Sequence, residues 1–330
     1  MIVHTDTCYT LHTAHTSYQL AVGPGGALLH TYYGPRLPDG APCLADSRPP
    51  HDDPGCWTDL LPKEWSAPGA VQADPFVEEI DFTGPHTTSD QELLAMTQLA
   101  HSRGMRVFWK PTVNCLDGTW RARISFFDHD VPCETKWSGW FASYQAFQMH
   151  FAALAQQAGA DLLILGCEMT QAEHRETEWR RLIAAVRSVY GGAVSYNCDK
   201  YGEEHVSWWD ALDVIASSGY YPIDQLDQNL DRIEPVVKRF QKPFFFAEAG
   251  CMQIAGSGSV PNNWALQGPP DQEEQANWYR ALLTACQARS WFGGTAFWDW
   301  PLPAYAQADR YAFTQGPALD VIRSFYCAGK

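Results

Sequence analysis

Two glutamates stand out for where they sit. Each follows directly on an apolar run, as Leu163-Ile164-Leu165-Gly166-Cys167-Glu168 and as Phe244-Phe245-Phe246-Ala247-Glu248. A carboxylate at the end of such a run is costly to bury unless it is paired or protonated. One such residue reads equally well as a helix cap or as an arginine partner on a sheet rim. Two of them amid aromatic residues favour a working pair. Hydrolysis of a glycosidic bond needs one carboxyl group that keeps its proton and one that stays ionised. A retaining reaction wants the two roughly 5–5.5 Å apart, a spacing that strand ends on opposite walls of a barrel mouth can meet.

The other strand ends carry polar and aromatic groups. Lys110 closes the run from Arg106 and is followed by Asn114, Asp117, Trp120, Arg121 and Arg123. Asn197, then Tyr220 and Tyr221, and finally Trp298, Asp299 and Trp300 close later runs, and Trp264 lies in the long loop from Gly250 to Pro270. Lys110, Asn114, Trp120, Arg121, Asn197, Tyr220, Tyr221, Trp264, Trp298 and Trp300 are the expected substrate-binding set. The chain has 14 Trp. An indole face packs on the apolar face of a sugar ring, but it packs equally well in a core, so the Trp set as a whole divides between the two uses.

Competing chemistries find less support. His101, His129, His150, His174 and His205 show no HExxH and no short ligand spacing, so no metal and no cofactor is expected. Glu173-His174, near Glu178, reads as a solvated helix start. No GxSxG nucleophile elbow occurs, and Gly256-Ser257-Gly258-Ser259 reads as a flexible loop. A thiol nucleophile would have to be Cys167 or Cys251, and both read better as wall packing.

These residues need a scaffold of parallel strands. From residue 88 onward, short apolar runs alternate with helical patterns. The helices are read at Gln91–Arg103, Phe141–Gly159, Glu176–Tyr190, Asp227–Phe240 and Asp271–Ala288. The strands are read at Arg106–Lys110, Asp161–Gly166, Ala193–Asn197, Val214–Tyr221, Pro243–Ala247 and Gly294–Trp300. Apolar strands alternating with amphipathic helices mean a parallel sheet buried on both faces, with functional groups at the carboxyl ends. A closed barrel and a doubly wound sheet both fit, although no GxGxxG supports a dinucleotide fold. The expected fold class is α/β, a (β/α)8 TIM-type barrel, irregular or incomplete at its first two strands. Residues 1–34 read as short strands around the turn Gly23-Pro24-Gly25-Gly26, and 35–75 as a loop or linker. The expected domains are an irregular β/loop segment over 1–75 and a barrel over 76–330.

Bulk properties set limits on partners. The 330 residues hold 38 acids against 23 bases, for a net charge of −15. No Lys/Arg cluster longer than a pair occurs, so no nucleic-acid partner is expected. No apolar run reaches transmembrane length, so no membrane partner is expected either. The ten Cys show no CxxC spacing. The start has neither a basic n-region nor an apolar h-region, which makes a reduced, cytoplasmic protein the simplest reading. The oligomeric state is not legible.

The motifs around these residues resemble glycoside hydrolase family 113, the β-1,4-mannanases of a clan of retaining (β/α)8 barrels. The resemblance rests on Thr88-Ser89-Asp90-Gln91-Glu92-Leu93, Lys110-Pro111-Thr112-Val113-Asn114 and Asp117-Gly118-Thr119-Trp120-Arg121. It continues through Trp140-Phe141-Ala142-Ser143-Tyr144, Gly166-Cys167-Glu168-Met169 and Tyr220-Tyr221-Pro222, then Phe246-Ala247-Glu248-Ala249-Gly250 and Phe297-Trp298-Asp299-Trp300. It covers roughly residues 78–302. It implies Glu168 as general acid/base, Glu248 as nucleophile, and Tyr220 or Tyr221 as hydrogen-bond donor to the nucleophile. It implies Trp298 or Trp300 as the floor of the sugar subsite beside the scissile bond, and Asn114, Trp120, Arg121 and Asn197 along the cleft. The implied reaction is cleavage of β-1,4-mannosidic bonds in mannan or manno-oligosaccharides. Thr112 and Asn114 stand where the family usually has His and Asp, which leaves another β-glycoside as an alternative, and the irregular first 85 residues leave a non-catalytic carbohydrate-binding barrel as a further one. Residues 9–40, with Thr16-Ser17-Tyr18 and His30-Thr31-Tyr32-Tyr33-Gly34, resemble the amino-terminal β-sandwich start of family 36 α-galactosidases.

Overall fold

The computed structural model describes residues 2–5, 8–22, 28–42, 80, 82–83, 87–115, 119–129, 131, 135–301 and 309–327. It divides into two compact units, Met1–Thr87 with Val113–Phe147, and Thr88–Thr112 with Gln148–Lys330. The strands are β1 (Ile2–Thr5), β2 (Cys8–His12), β3 (Thr16–Val22), β4 (Leu28–Pro35), β5 (Phe108–Trp109), β6 (Leu162–Cys167), β7 (Ala193–Cys198), β8 (Val214–Ser218), β9 (Phe244–Ala249) and β10 (Phe292–Phe297). The helices of more than one turn are α1 (Asp90–Ser102), α2 (Trp137–Ala158), α3 (Glu176–Arg187), α4 (Leu226–Phe240), α5 (Gln272–Gln287) and α6 (Pro317–Cys327).

In the first unit β1 to β4 form an antiparallel meander in chain order. The short strands expected over residues 1–34 are present, while the turn at Gly23–Gly26 lies outside the described residues. The face buried by β2 and β3 is partly polar. Thr10, His12, Ser17 and Gln19 are buried there. They satisfy one another: Gln19 Nε2 donates to Thr10 Oγ1 at 3.1 Å, and His12 Nδ1 lies 2.7 Å from Ser17 Oγ. Trp137, Trp140, Tyr144 and Phe147 follow helical spacing along α2, and Trp140 stacks on Tyr144 at 4.7 Å between ring centroids.

In the second unit six parallel strands form one sheet in the order β5-β6-β7-β8-β9-β10. This is an α/β fold of the TIM-barrel type. β6 and β9 are buried at every position. That is why their sequences run apolar without alternation: in a parallel sheet covered on both faces, every side chain meets protein. Leu162, Ile164, Ala216, Phe245 and Ala247 share one cluster. α4 buries Leu230, Ile233, Val236 and Val237 along one face. Of the eight strands of a full barrel, six lie among the described residues. The stretch read as their possible source, 35–75, is strand-free over 36–42 and lies outside the described residues from 43 on.

The strand read at Gly294–Trp300 starts earlier, at Phe292, and stops at Phe297, and two others are markedly shorter than the sequence suggests. The run Arg106–Lys110 yields only Phe108–Trp109, because β5 pairs with β6 through Leu162 and Leu163 alone and Pro111 follows, which has no N–H for a ladder. The run Val214–Tyr221 stops at Ser218. A Cβ on Gly219 would lie 2.8 Å from the ring of Phe246, and Tyr221 N turns back to Gly219 O at 2.9 Å. α6 carries no counterpart in the sequence reading. No helix among the described residues is long and apolar enough to cross a membrane.

Candidate active site

The carboxyl ends of β6 to β9 carry the two glutamates, each held in its own set of hydrogen bonds. Glu168 follows β6 with φ 53°, a left-handed backbone that a non-glycine residue holds only when its surroundings fix it. Its N–H donates to Asn197 O on β7 at 2.7 Å. Its Oε1 accepts from Ser218 Oγ at 2.6 Å, and Ser218 Oγ in turn accepts from Asn197 Nδ2 at 2.9 Å. The carboxyl group is thus held by two neighbouring strands.

Glu248, on β9, stands opposite Ser218 in the register of β8 and β9. Its Oε2 accepts from the Tyr220 hydroxyl at 3.1 Å. Its Oε1 accepts from the Lys110 ammonium and lies 3.3 Å from Cys167 Sγ. Both glutamates are only 8% exposed, so these partners rather than water surround their charge. Burial works against the Lys110 ammonium, but Cys167 and the carboxylates of Glu248 and Glu168 outweigh it and raise its pKa. Burial, with Glu248 and Glu168 adding to it, pushes the Tyr220 phenol well above its usual range. Tyr220 therefore remains a donor and Lys110 a cation, and both favour the ionised form of Glu248.

Other expected site residues separate into groups. Of the two tyrosines, Tyr220 faces Glu248, whereas the Tyr221 hydroxyl donates to Glu203, which also pairs with Arg232. Tyr220 packs edge-on against Tyr311 at 6.4 Å, Tyr311 against Trp264 at 4.2 Å, and Trp264 against Trp298 at 6.1 Å. This aromatic series runs from the tyrosine that donates to Glu248 out to Trp298, which is 37% exposed. Trp300 instead packs on Phe313 at 5.6 Å. Trp298 is fixed through its backbone, with its N–H on Ala249 O at 2.8 Å. A Cβ on Gly250 would come within 2.2 Å of Trp298 O, so position 250 requires glycine. Asn114, Trp120 and Arg121 belong to the first unit, where Arg121 Nη1 donates to Asn114 Oδ1 at 3.1 Å. Asp117 lies outside the described residues. Most of the described Trp residues, including Trp137, Trp140, Trp179, Trp208, Trp209 and Trp278, are core.

Three residues differ from or extend the sequence reading. Ser218 was not singled out, although a Ser-Ser-Gly sequence closing an apolar strand is a signal of polar function at its end. Cys167 is buried in the wall as read, yet its thiol also reaches Glu248. Glu173 corrects the reading of a solvated helix start. It is 4% exposed, and α3 begins only at Glu176. Its side chain folds back under β7 because the turn Thr170–Ala172 redirects the chain after Glu168. No group of three or more His, Cys, Asp or Glu among the described residues could hold a metal ion.

Fold and site together define a glycoside hydrolase: a TIM-type sheet with two buried carboxyl groups at its carboxyl ends, one held by cationic and phenolic donors. The sequence matches the model of Glycoside Hydrolase Family 113 over residues 64–315. Among solved structures, a GH113 beta-1,4-mannanase in complex is 48% identical, with a TM-score of 0.73 over 76% of this chain and 82% of that one. The GH113 beta-mannanase AaManA from Alicyclobacillus acidocaldarius, in complex with ManMIm, is 41% identical, with a TM-score of 0.72 over 77% of this chain and 83% of that one. A beta-glucuronidase from Ruminococcus gnavus, 13% identical with a TM-score of 0.52 over 70% of this chain and 42% of that one, shares the fold alone. A search of curated protein sequences found no match. The chain belongs to glycoside hydrolase family 113.

Proposed function

We propose that this chain hydrolyses β-1,4-mannosidic bonds with retention of configuration, using Glu248 as nucleophile and Glu168 as general acid/base. The observation that carries this reading is the donor set on Glu248, which sits among the Lys110 ammonium, the Tyr220 phenol and the Cys167 thiol, with Glu168 on the Ser218 hydroxyl at the neighbouring strand end. The ionised partner attacks the anomeric carbon. The other gives its proton to the leaving oxygen, then takes one from the water that releases the glycosyl-enzyme. Two mannanases of the same family at 48% and 41% identity support mannosides as the substrate class.

Asn197, braced on Ser218, is read as a substrate ligand. Trp298, backed by Trp264, is read as the sugar platform. Lys110 has a second task beyond substrate binding, holding the charge of Glu248. The family resemblance assigns Asn114, Trp120 and Arg121 to the substrate as well, and their alanine variants should act on KM. We retain the division into an amino-terminal segment over 1–75 and a glycosidase barrel over 76–330. The antiparallel meander of β2 to β4 supports reading residues 9–40 as akin to the start of a family 36 sandwich.

The deciding experiment is hydrolysis of manno-, gluco- and galacto-oligosaccharides with product stereochemistry followed by NMR. Mannosides should turn over with β-configured first products. Inverted products, or turnover confined to another sugar, would overturn the mechanism or the substrate respectively. Glu248→Gly with azide should form the α-mannosyl azide, as expected where the missing group is the nucleophile.

A further inference from the structure

Glu168 is held in its left-handed turn by bonds to β7 on both sides. Before the turn its own N–H reaches Asn197 O at 2.7 Å. After it, the N–H of Met169 reaches the hydroxyl oxygen of Tyr196 at 2.9 Å. That hydroxyl donates its own proton to Oε1 of Glu173 at 2.8 Å. Glu173 is the residue to which the turn Thr170–Ala172 returns the chain, and its carbonyl accepts from Trp208 Nε1 at 3.0 Å. Both ends of the segment from Met169 to Glu173 are therefore fastened to one phenol. The phenol cannot swing: Trp179, Trp208 and Trp209 surround the Tyr196 ring at 5.1, 5.0 and 6.1 Å.

We propose that Tyr196 and Glu173 are positioning residues for the general acid, a brace that fixes the backbone following Glu168 and so aims its carboxyl group at the leaving-group oxygen. This rests on the reading of Glu168 as the acid/base. A left-handed non-glycine backbone is unfavourable by about 1–3 kcal/mol and persists only where its surroundings over-determine it. Without the brace, the N–H of Met169 loses its partner and the turn can relax toward an ordinary backbone. Burial raises the Glu173 carboxyl to about 8 against the Tyr196 hydrogen bond, which lowers it, with Asp199, Glu203 and Glu168 adding to the effect of burial.

Loss of aim should tell most where proton donation is needed most. The test compares kcat/KM on phenyl and dinitrophenyl β-mannobiosides, which share their sugar and differ in how much acid assistance departure requires. Glu168→Gln provides the reference: it should collapse turnover of the phenyl substrate and spare the dinitrophenyl one. If it does not, the acid/base reading fails, whatever the brace does. Given that split, Tyr196→Phe and Glu173→Ala should each lower the phenyl substrate selectively, by roughly tenfold for the loss of a buried hydrogen bond. Glu173→Gln, which can still accept from Tyr196, should restore the wild-type ratio. Combined with Glu168→Gln, Tyr196→Phe should change the ratio no further. Equal losses on both substrates, no loss on either, or a further change in the double variant would each overturn the brace. Should Tyr196→Phe fail to fold, the contrast between the Ala and Gln variants of Glu173 decides the same question.

Discussion

The hydroxyl of Ser218 donates to Oε1 of Glu168 at 2.6 Å. The same serine stands opposite Glu248 in the register of β8 and β9. One small side chain thus ties the turn that carries one carboxyl group to the strand beside the other. The expected effect of Ser218→Ala is a roughly tenfold fall in kcat/KM, from the loss of one hydrogen bond to a charged or charge-bearing group. Asn197 would lose a partner in the same change. Steady-state kinetics on manno-oligosaccharides checks this, and an unchanged kcat/KM would show that the contact is incidental.

Lys110 should matter more for the charge of Glu248 than for grip on the substrate. Its ammonium is raised above its usual range by the groups it neutralises, against the effect of burial. By reciprocity, its removal penalises the ionised form of Glu248. Lys110→Met should therefore move the acid limb of kcat/KM to higher pH and lower its maximum by at least about tenfold. A pH profile with unmoved limbs and only a raised KM would assign Lys110 to substrate binding alone.

Glu173 gives a stability signature with a definite sign. Its carboxyl is raised from 4.5 to about 8 in the folded chain, chiefly by burial. Between those values the folded state holds more protons than the unfolded one, so this residue's contribution to stability declines as pH rises through that range and levels off above it. Glutamine cannot ionise. Relative to wild type, Glu173→Gln should gain stability steadily across this window and hold the gain above it. Denaturant melts at a series of pH values read the difference directly, and a pH-independent difference would refute it.

Gly250→Ala probes the support of Trp298. The added Cβ would lie 2.2 Å from Trp298 O, a backbone atom that cannot turn aside. One of the chains must shift, which should destabilise the protein by about 1–3 kcal/mol. Trp298, the proposed sugar platform, would move with it, so KM for longer oligosaccharides should rise. A variant with wild-type melting temperature and KM would mean that the loop absorbs the displacement elsewhere.

The sheet was legible because burial on both faces leaves no room for alternation: β6 and β9 announce themselves as unbroken apolar runs, each ending in its glutamate. α1 starts one residue before the helix read from Gln91, where Ser89 and Glu92 form a reciprocal capping box. Partners across the sheet were not legible. Nothing local in Lys110 or Ser218 states that they meet Glu248 and Glu168, 138 and 50 residues away. Glu173 misled because a charged residue just before a helical pattern usually faces water. Only the turn after Glu168, which reverses the chain beneath Tyr196, makes it a buried acid. Tyr220 and Tyr221 are adjacent in sequence, and only the fold turns one to Glu248 and the other to Glu203.

The left-handed backbone of Glu168 sets tolerance of heat against catalysis at that position. Glycine adopts this conformation without penalty, so on the proposed assignment replacing Glu168 by Gly would relieve strain while abolishing proton transfer. A lineage, or a directed-evolution campaign, selected for thermal endurance alone would feel a pull toward discarding this glutamate. Its persistence depends on selection for turnover, and any effort to harden this enzyme must keep activity in the screen.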